Sequence, residues 1–234
     1  MLLPSYSIGS NADRIEQRLR AEFSRHFNAA FVTKPGMSLP VILPESGSII
    51  NFATWGIPDR KGNSLAWIRS GGIIKNKNTR VLIRKKRCLI PANGFFIKNY
   101  EKYYFIYFPD EPVFTFAGIY DSHKQIDENQ SDFYFTILTQ KAGSRMEKIS
   151  PEFPVIIGNS SRRRYLNLEK PLMDITLLLQ KEMKLKLNGL GISPDLFSKK
   201  NPDKSDFNQK GAKLYPPQKF PEKEILGSYY FYGM

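Results

Sequence analysis

The sequence predicts a mixed α/β fold of the α+β type: one domain over residues 1–195, dominated by antiparallel strands, then a partly irregular extension over 196–234. Three observations predict it. The chain has 234 residues, 41% of them hydrophobic, with 17 Phe and 12 Tyr, enough to bury a sizeable core and too apolar for whole-chain disorder. Between Arg87 and Leu138, short apolar runs alternate with turn-like segments, as successive antiparallel strands do. Helical spacing is confined to short stretches outside that block, and no internal repeat is present.

In chain order, Ser10 to Phe23 reads as a helix, with Ser10 as cap, Asp13 and Glu16 in the first turns, and Ile15, Leu19 and Phe23 on one face. Residues 27–58 hold short apolar stretches broken by Pro35, Gly36, Pro40, Pro44 and Gly47, a pattern of short strands and turns. Cys88 to Ile90, Tyr103 to Phe108, Val113 to Tyr120 and Phe133 to Leu138 are the predicted antiparallel strands. A short helix is expected over Lys141 to Ile149, a buried strand over Pro154 to Ile157, and a helix over Ser160 to Leu168 capped by Ser160 or Ser161. Pro171 to Met183 follows as a helix with Pro at its start and Leu172, Ile175, Leu178 and Leu179 on one side. After Asp195 the composition shifts to Lys, Pro, Asp and Asn, so 198–219 reads as an extended tail; Tyr229 to Tyr232 is a candidate to dock on the body.

Composition excludes several function classes. No stretch approaches the ~18 apolar residues of a membrane span, and the N-terminus lacks the basic start of a signal peptide, so a soluble cytoplasmic protein is expected. One cysteine, Cys88, excludes an internal disulfide; with only His26 and His123 as histidines, no metal site and no cofactor is expected. The net charge is +13, from 35 Lys and Arg against 22 Asp and Glu. Much of the excess lies in residues 69–104, which hold ten basic side chains and one acid, Glu101, with Phe95, Phe96, Tyr100 and Tyr103 interleaved. Such a segment is either a solvated surface that favours solubility or a nucleic-acid contact, where cations release condensed counterions.

The run Arg87-Cys88-Leu89-Ile90-Pro91-Ala92-Asn93-Gly94-Phe95-Phe96 resembles the hallmark of the SRAP family, the SOS response-associated peptidase domain that acts on abasic sites in single-stranded DNA. Ala117-Gly118-Ile119-Tyr120-Asp121, Phe135-Thr136-Ile137-Leu138-Thr139, Pro154-Val155-Ile156-Ile157, Trp55-Gly56-Ile57-Pro58 and Leu39-Pro40-Val41-Ile42 are similar to further family segments, in the family's order. The resemblance spans roughly residues 10–180 and implies a bent, partly barrel-like sheet flanked by helices. It also implies a chemistry: an N-terminal Cys condenses through its amine and thiol with the abasic aldehyde to a thiazolidine, while an Asn, a Glu and a His position the sugar and move protons.

At each of those positions this chain differs. Leu2 stands at the cysteine, Trp67 at the Asn, Ile97 at the Glu and Ser150 at the His; Gly71 and Lys98 replace a neighbouring acid and Trp, and Glu152-Phe153 falls on an Arg-Met pair. None of the four exchanges a proton near neutral pH. Leu2 also disfavours removal of the initiator Met, leaving the amine on Met1, whose remaining chemistry would be a reversible Schiff base. Cys88, inside an apolar strand, reads as a packed hydrophobe, not the nucleophile of a peptidase. The enzyme reading is accordingly weak.

DNA binding needs only cations and flat side chains. Arg69 matches the family's phosphate-contacting Arg; Arg84, Lys85, Lys86 and Arg87 are candidate backbone contacts, Lys98 adds charge, and Trp55 either stacks on a base or fills the core. Arg162 to Arg164 form a second cationic ridge or one exposed helix turn. The expected partner is single-stranded DNA, including abasic-site DNA; the alternative is a protein-interaction module reusing the fold, its basic patch meeting an acidic partner.

Overall fold

The computed structural model describes residues 2–59, 62–124, 131–142, 147, 149–180 and 187–197. The elements run β1 (Leu2–Ser7), α1 (Ala12–Leu19), β2 (Glu22–Phe23), β3 (Ser38–Val41), β4 (Ile49–Trp55), β5 (Ile57–Pro58), β6 (Ser64–Leu65) and β7 (Trp67–Arg69). Then come α2 (Ser70–Ile73), α3 (Lys77–Lys85), β8 (Arg87–Ala92), β9 (Gly94–Asn99), β10 (Lys102–Tyr107), β11 (Phe114–Lys124) and β12 (Ser131–Lys141). The last are β13 (Glu152–Pro154), β14 (Ile156–Ile157), α4 (Asn159–Leu166), α5 (Leu172–Gln180) and β15 (Asn188–Ile192).

The strands form a nine-stranded sheet, a four-stranded sheet in the order β1-β9-β10-β15, and a small β5–β6 pair. Pairing is mostly antiparallel; β4 and β7 run parallel to β12, and β2 parallel to β4. In the large sheet β8 pairs with β11, β11 with β12, β12 with β4 and β4 with β3. Just past β3, Ile42 bridges back to Leu89 on β8 through reciprocal bonds of 2.9 and 3.0 Å. The circuit therefore closes on itself, which is the barrel-like bend the resemblance implies. Closure needs tight spacing inside: a side chain at Gly118 on β11 would meet Ile90 at 2.3 Å and the Thr136 carbonyl at 2.8 Å.

Period-two alternation sends neighbouring residues of β9 to two different cores. Phe95 and Ile97 enter the main core, with Tyr6, Trp55, Phe116 and Phe135. Phe96 enters a smaller one on the other face of the four-stranded sheet, with Phe31, Phe105 and Leu196.

The helices differ in detail from the sequence expectation. Asn11, not Ser10, caps α1, accepting from the Arg14 N–H at 3.3 Å, and the left-handed Arg20 (φ 54°) ends it before Phe23. Ser10 is held instead by Asn93, whose side chain accepts its N–H at 3.0 Å and donates to its Oγ at 2.7 Å. Gly158, not a serine, precedes α4. Helix α3 is unforeseen: Asn76 caps it by accepting from Asn78 and Thr79, and Arg84 and Lys85 in its last turn face the negative end of its dipole. Most of the expected 141–149 helix, the 198–219 tail and Tyr229–Tyr232 lie outside the described residues.

Candidate nucleic-acid interface

Strand pairing places three of the four positions expected to hold reactive groups, Leu2, Ile97 and Trp67, in ladders beside the main core, and the fourth, Ser150, precedes β13. Leu2 on β1 pairs with Ile97 on β9, so these two positions share one ladder. Trp67 lies on β7, paired with Ile137, and its ring meets Trp55 edge-on at 5.4 Å and Phe116 at 6.5 Å. Ser150 is fully buried, its hydroxyl donating to the Glu152 carbonyl at 2.8 Å. Phe95 links β9 to β13 through an edge contact with Phe153 at 5.7 Å, and Tyr6 packs on Trp55 at 5.0 Å.

The cluster is apolar and offers little acid–base chemistry. Tyr6 Oη and Trp67 Nε1 are buried without a hydrogen-bond partner among the described residues, a condition that costs about 1–3 kcal/mol per group. Burial pushes the Tyr6 phenol up, so it stays protonated and cannot serve as a base near neutral pH. Burial likewise pushes up the Cys88 thiol, keeping it out of the nucleophilic thiolate form. His26 is exposed beside Asn28. Among the described residues no group of three or more His, Cys, Asp or Glu could hold a metal ion, and no helix is long and apolar enough to cross a membrane.

Two of the expected DNA contacts are corrected by their burial. Trp55 is 0% exposed, its indole N–H donating to the Ala66 carbonyl at 3.0 Å and its ring stacked near Phe135, so no base can reach it. Arg87 is 1% exposed, so a phosphate cannot reach it. Its guanidinium donates to the carbonyls of Tyr165, Ile83 and Asn167 at 2.6 Å each, and to that of Arg84 at 3.2 Å. These carbonyls end α3 and α4, so the buried cation sits against two negative helix termini and needs no carboxylate.

The other candidates lie at or near the surface in different states. Arg69 is exposed but paired with Glu152, which also accepts from Thr139 Oγ1 at 2.9 Å; β12, lying between β7 and β13, brings the two together. The pair raises the Arg69 pKa, through its hydrogen bond first and then its charge. Lys86 is tied to Asp121 at 2.6 Å. Lys98 lies on the four-stranded sheet, 5.3 Å over the Tyr103 ring and 3.8 Å from Glu101. Arg84 and Lys85 are exposed on α3, where Lys77 and Arg80 join them. Over residues 69–86 there are seven cations and no acid, and Arg69, Lys75, Lys77, Arg80, Arg84 and Lys85 are all exposed. Arg162 is drawn inward to Thr115 at 3.3 Å, leaving Arg163 and Arg164 as the exposed part of that ridge. Glu152 was missed as a counter-ion because its partner is 83 residues away.

Comparison with known proteins places this geometry in context. A family model described as SOS response associated peptidase (SRAP) matches residues 5–197. The chain is 23% identical over 153 residues to the abasic site processing protein YobE of Bacillus subtilis, covering 60% of this chain and 69% of that protein. It is 26% identical over 118 residues to the abasic site processing protein YoqW of the same organism, covering 48% of this chain and about half (52%) of that protein's length. Among solved structures, a Bacteroides thetaiotaomicron protein aligns with TM-score 0.77 at 22% identity, over 87% of this chain and 97% of its own. A Bordetella bronchiseptica protein aligns with TM-score 0.70 at 16% identity, over 81% and 99%. Both structural likenesses concern the fold.

Proposed function

The chain belongs to the SOS response associated peptidase (SRAP) family, and from that premise we propose that it is a DNA-damage-response protein that binds single-stranded or abasic-site DNA without forming the thiazolidine crosslink. The names of the relatives YobE and YoqW, abasic site processing proteins, support the damage setting. The observation that carries the binding is the acid-free stretch 69–86 with six exposed cations, a surface whose affinity for a phosphate backbone comes from counterion release. Arg84 and Lys85 on α3 are its centre, with Arg69, Lys86 and Lys98 as flanking charges; the cation–acid pairs at those three compete with phosphate.

The absence of crosslinking follows from the side chains available. A thiazolidine needs an amine and a thiol on one residue, and Leu2 supplies no thiol; Ile97, Ser150 and Trp67 supply no proton relay. Peptidase activity would need an activated nucleophile, and the buried Cys88 is not one.

Fluorescence anisotropy of a labelled oligonucleotide, intact or with one abasic site, tests the binding at low and moderate salt. Dissociation constants of about micromolar or below, weakening steeply with salt, are expected. No binding at low salt would overturn the DNA reading and favour a protein partner. Incubation with the abasic strand, then a denaturing gel, is expected to show no adduct; one that persists without reductant would overturn the non-crosslinking reading.

A further inference from the structure

A cleft of ≈ 520 Å³ opens beside the start of β4, the turn Pro44–Ser46 and Phe133 on β12. Phe52 and the 37%-exposed Phe133 give it flat apolar surface, while Arg25, Glu45 and Asn51 bring polar groups to it. Arg25 is laid over the Phe52 ring at 4.3 Å and donates to Ser38 Oγ at 2.7 Å, so its planar guanidinium is fixed in place. Glu45 is exposed and oriented by the Tyr120 hydroxyl, which donates to its Oε1 at 2.8 Å.

Tyr120 also joins this cleft to the cationic helix. Its backbone N–H donates to the carbonyl of Lys86, the residue that follows α3, at 2.9 Å. Its ring lies 6.2 Å from that of Phe133. The end of α3, which carries Arg84 and Lys85, is therefore linked through the single residue Tyr120 to a cavity that combines aromatic surface with one carboxylate acceptor. Positive charge for a backbone beside aromatic surface for bases is the combination that single strands select.

We infer that the cleft receives one unstacked base of a DNA single strand whose phosphates run over α3, and that Glu45 discriminates between bases at this position. A carboxylate accepts from the N4 amino group of cytosine, whereas thymine presents the O4 carbonyl there and meets the carboxylate with like polarity. This inference rests on the proposed single-strand binding and adds a base pocket to it.

Anisotropy with labelled oligo-dC and oligo-dT of equal length tests it on the full chain. Wild-type protein binds oligo-dC about three-fold tighter or more than oligo-dT, a modest expectation for one carboxylate contact. Glu45→Gln levels the two while keeping an acceptor for Tyr120. Phe133→Leu, which keeps most of the apolar packing and removes the ring, weakens both strands about five-fold or more through lost stacking, read at a temperature where circular dichroism shows the variant folded. Equal affinity or a dT preference in the wild type overturns the inference. So does wild-type behaviour of both variants when Arg84→Glu/Lys85→Glu weakens binding about ten-fold or more, and that result leaves the DNA reading standing. No binding of either oligonucleotide by the wild type overturns both.

Discussion

The aromatic cluster around Trp67 and the cationic segment 69–86 are joined at Arg69, yet they are built on opposite principles. In the cluster, Leu2, Ile97 and Trp67 pack as apolar side chains and Ser150 is turned inward, so packing decides what each side chain does. In the cationic segment Ile73 and Ile83 anchor the two helices in the core, while Lys75, Lys77, Arg80, Arg84 and Lys85 stand exposed on the outer side. Chemistry requires several groups fixed together. Attraction for a polyanion requires only charge density, which survives reshuffling of individual residues.

Arg87 is the sharpest test of that contrast, being a cation that sits on the packed side. Arg87→Met is expected to destabilise the protein by about 3–5 kcal/mol, because four helix-end carbonyls lose their donor; urea unfolding measures it, and an unchanged midpoint would place Arg87 with the surface cations. The double reversal Arg84→Glu/Lys85→Glu is expected to weaken oligonucleotide binding about ten-fold or more and to flatten the salt slope by about two. Stability should stay within about 0.5 kcal/mol. Tyr6→Phe removes a buried hydroxyl without a partner among the described residues, and a gain of about 1 kcal/mol is expected by urea unfolding; a loss would mean that the hydroxyl is satisfied by water. The smallest effect is at the junction. Glu152→Gln frees Arg69 from its counter-ion and is expected to tighten oligonucleotide binding about three-fold, as one added phosphate contact would; weaker binding would mean that Glu152 orients Arg69 for DNA.

Four of the strands between Cys88 and Leu138, β8, β10, β11 and β12, were legible in the sequence because their apolar runs are bounded by turn residues, whereas β9, which pairs with β10, was not singled out. Nor were strands β1 and β15. LLPSYS contains a Pro and NGLGI two Gly, and each becomes a strand only by pairing across a long sequence gap with β9 or β10. Helix α3 escaped notice because Val81, half exposed, falls off the buried face of Ile83 and blurs the helical period. At the candidate site, the sequence reading could not tell Arg87 from Lys85. Both stand in one basic run, and what separates them is Tyr165 and Asn167, some 80 residues further along.

The four-stranded sheet draws its members from residues 2–7, 94–107 and 188–192. Its last strand, β15, covers the outer edge of β10, where Tyr103, Tyr104, Phe105, Ile106 and Tyr107 follow one another. During synthesis that edge stays unpaired until residue 192 has left the ribosome, so the nascent chain carries an open, mostly aromatic strand while everything between residues 107 and 192 is made. A product truncated before residue 188 would keep it open permanently, and its expected failure is self-association through β10.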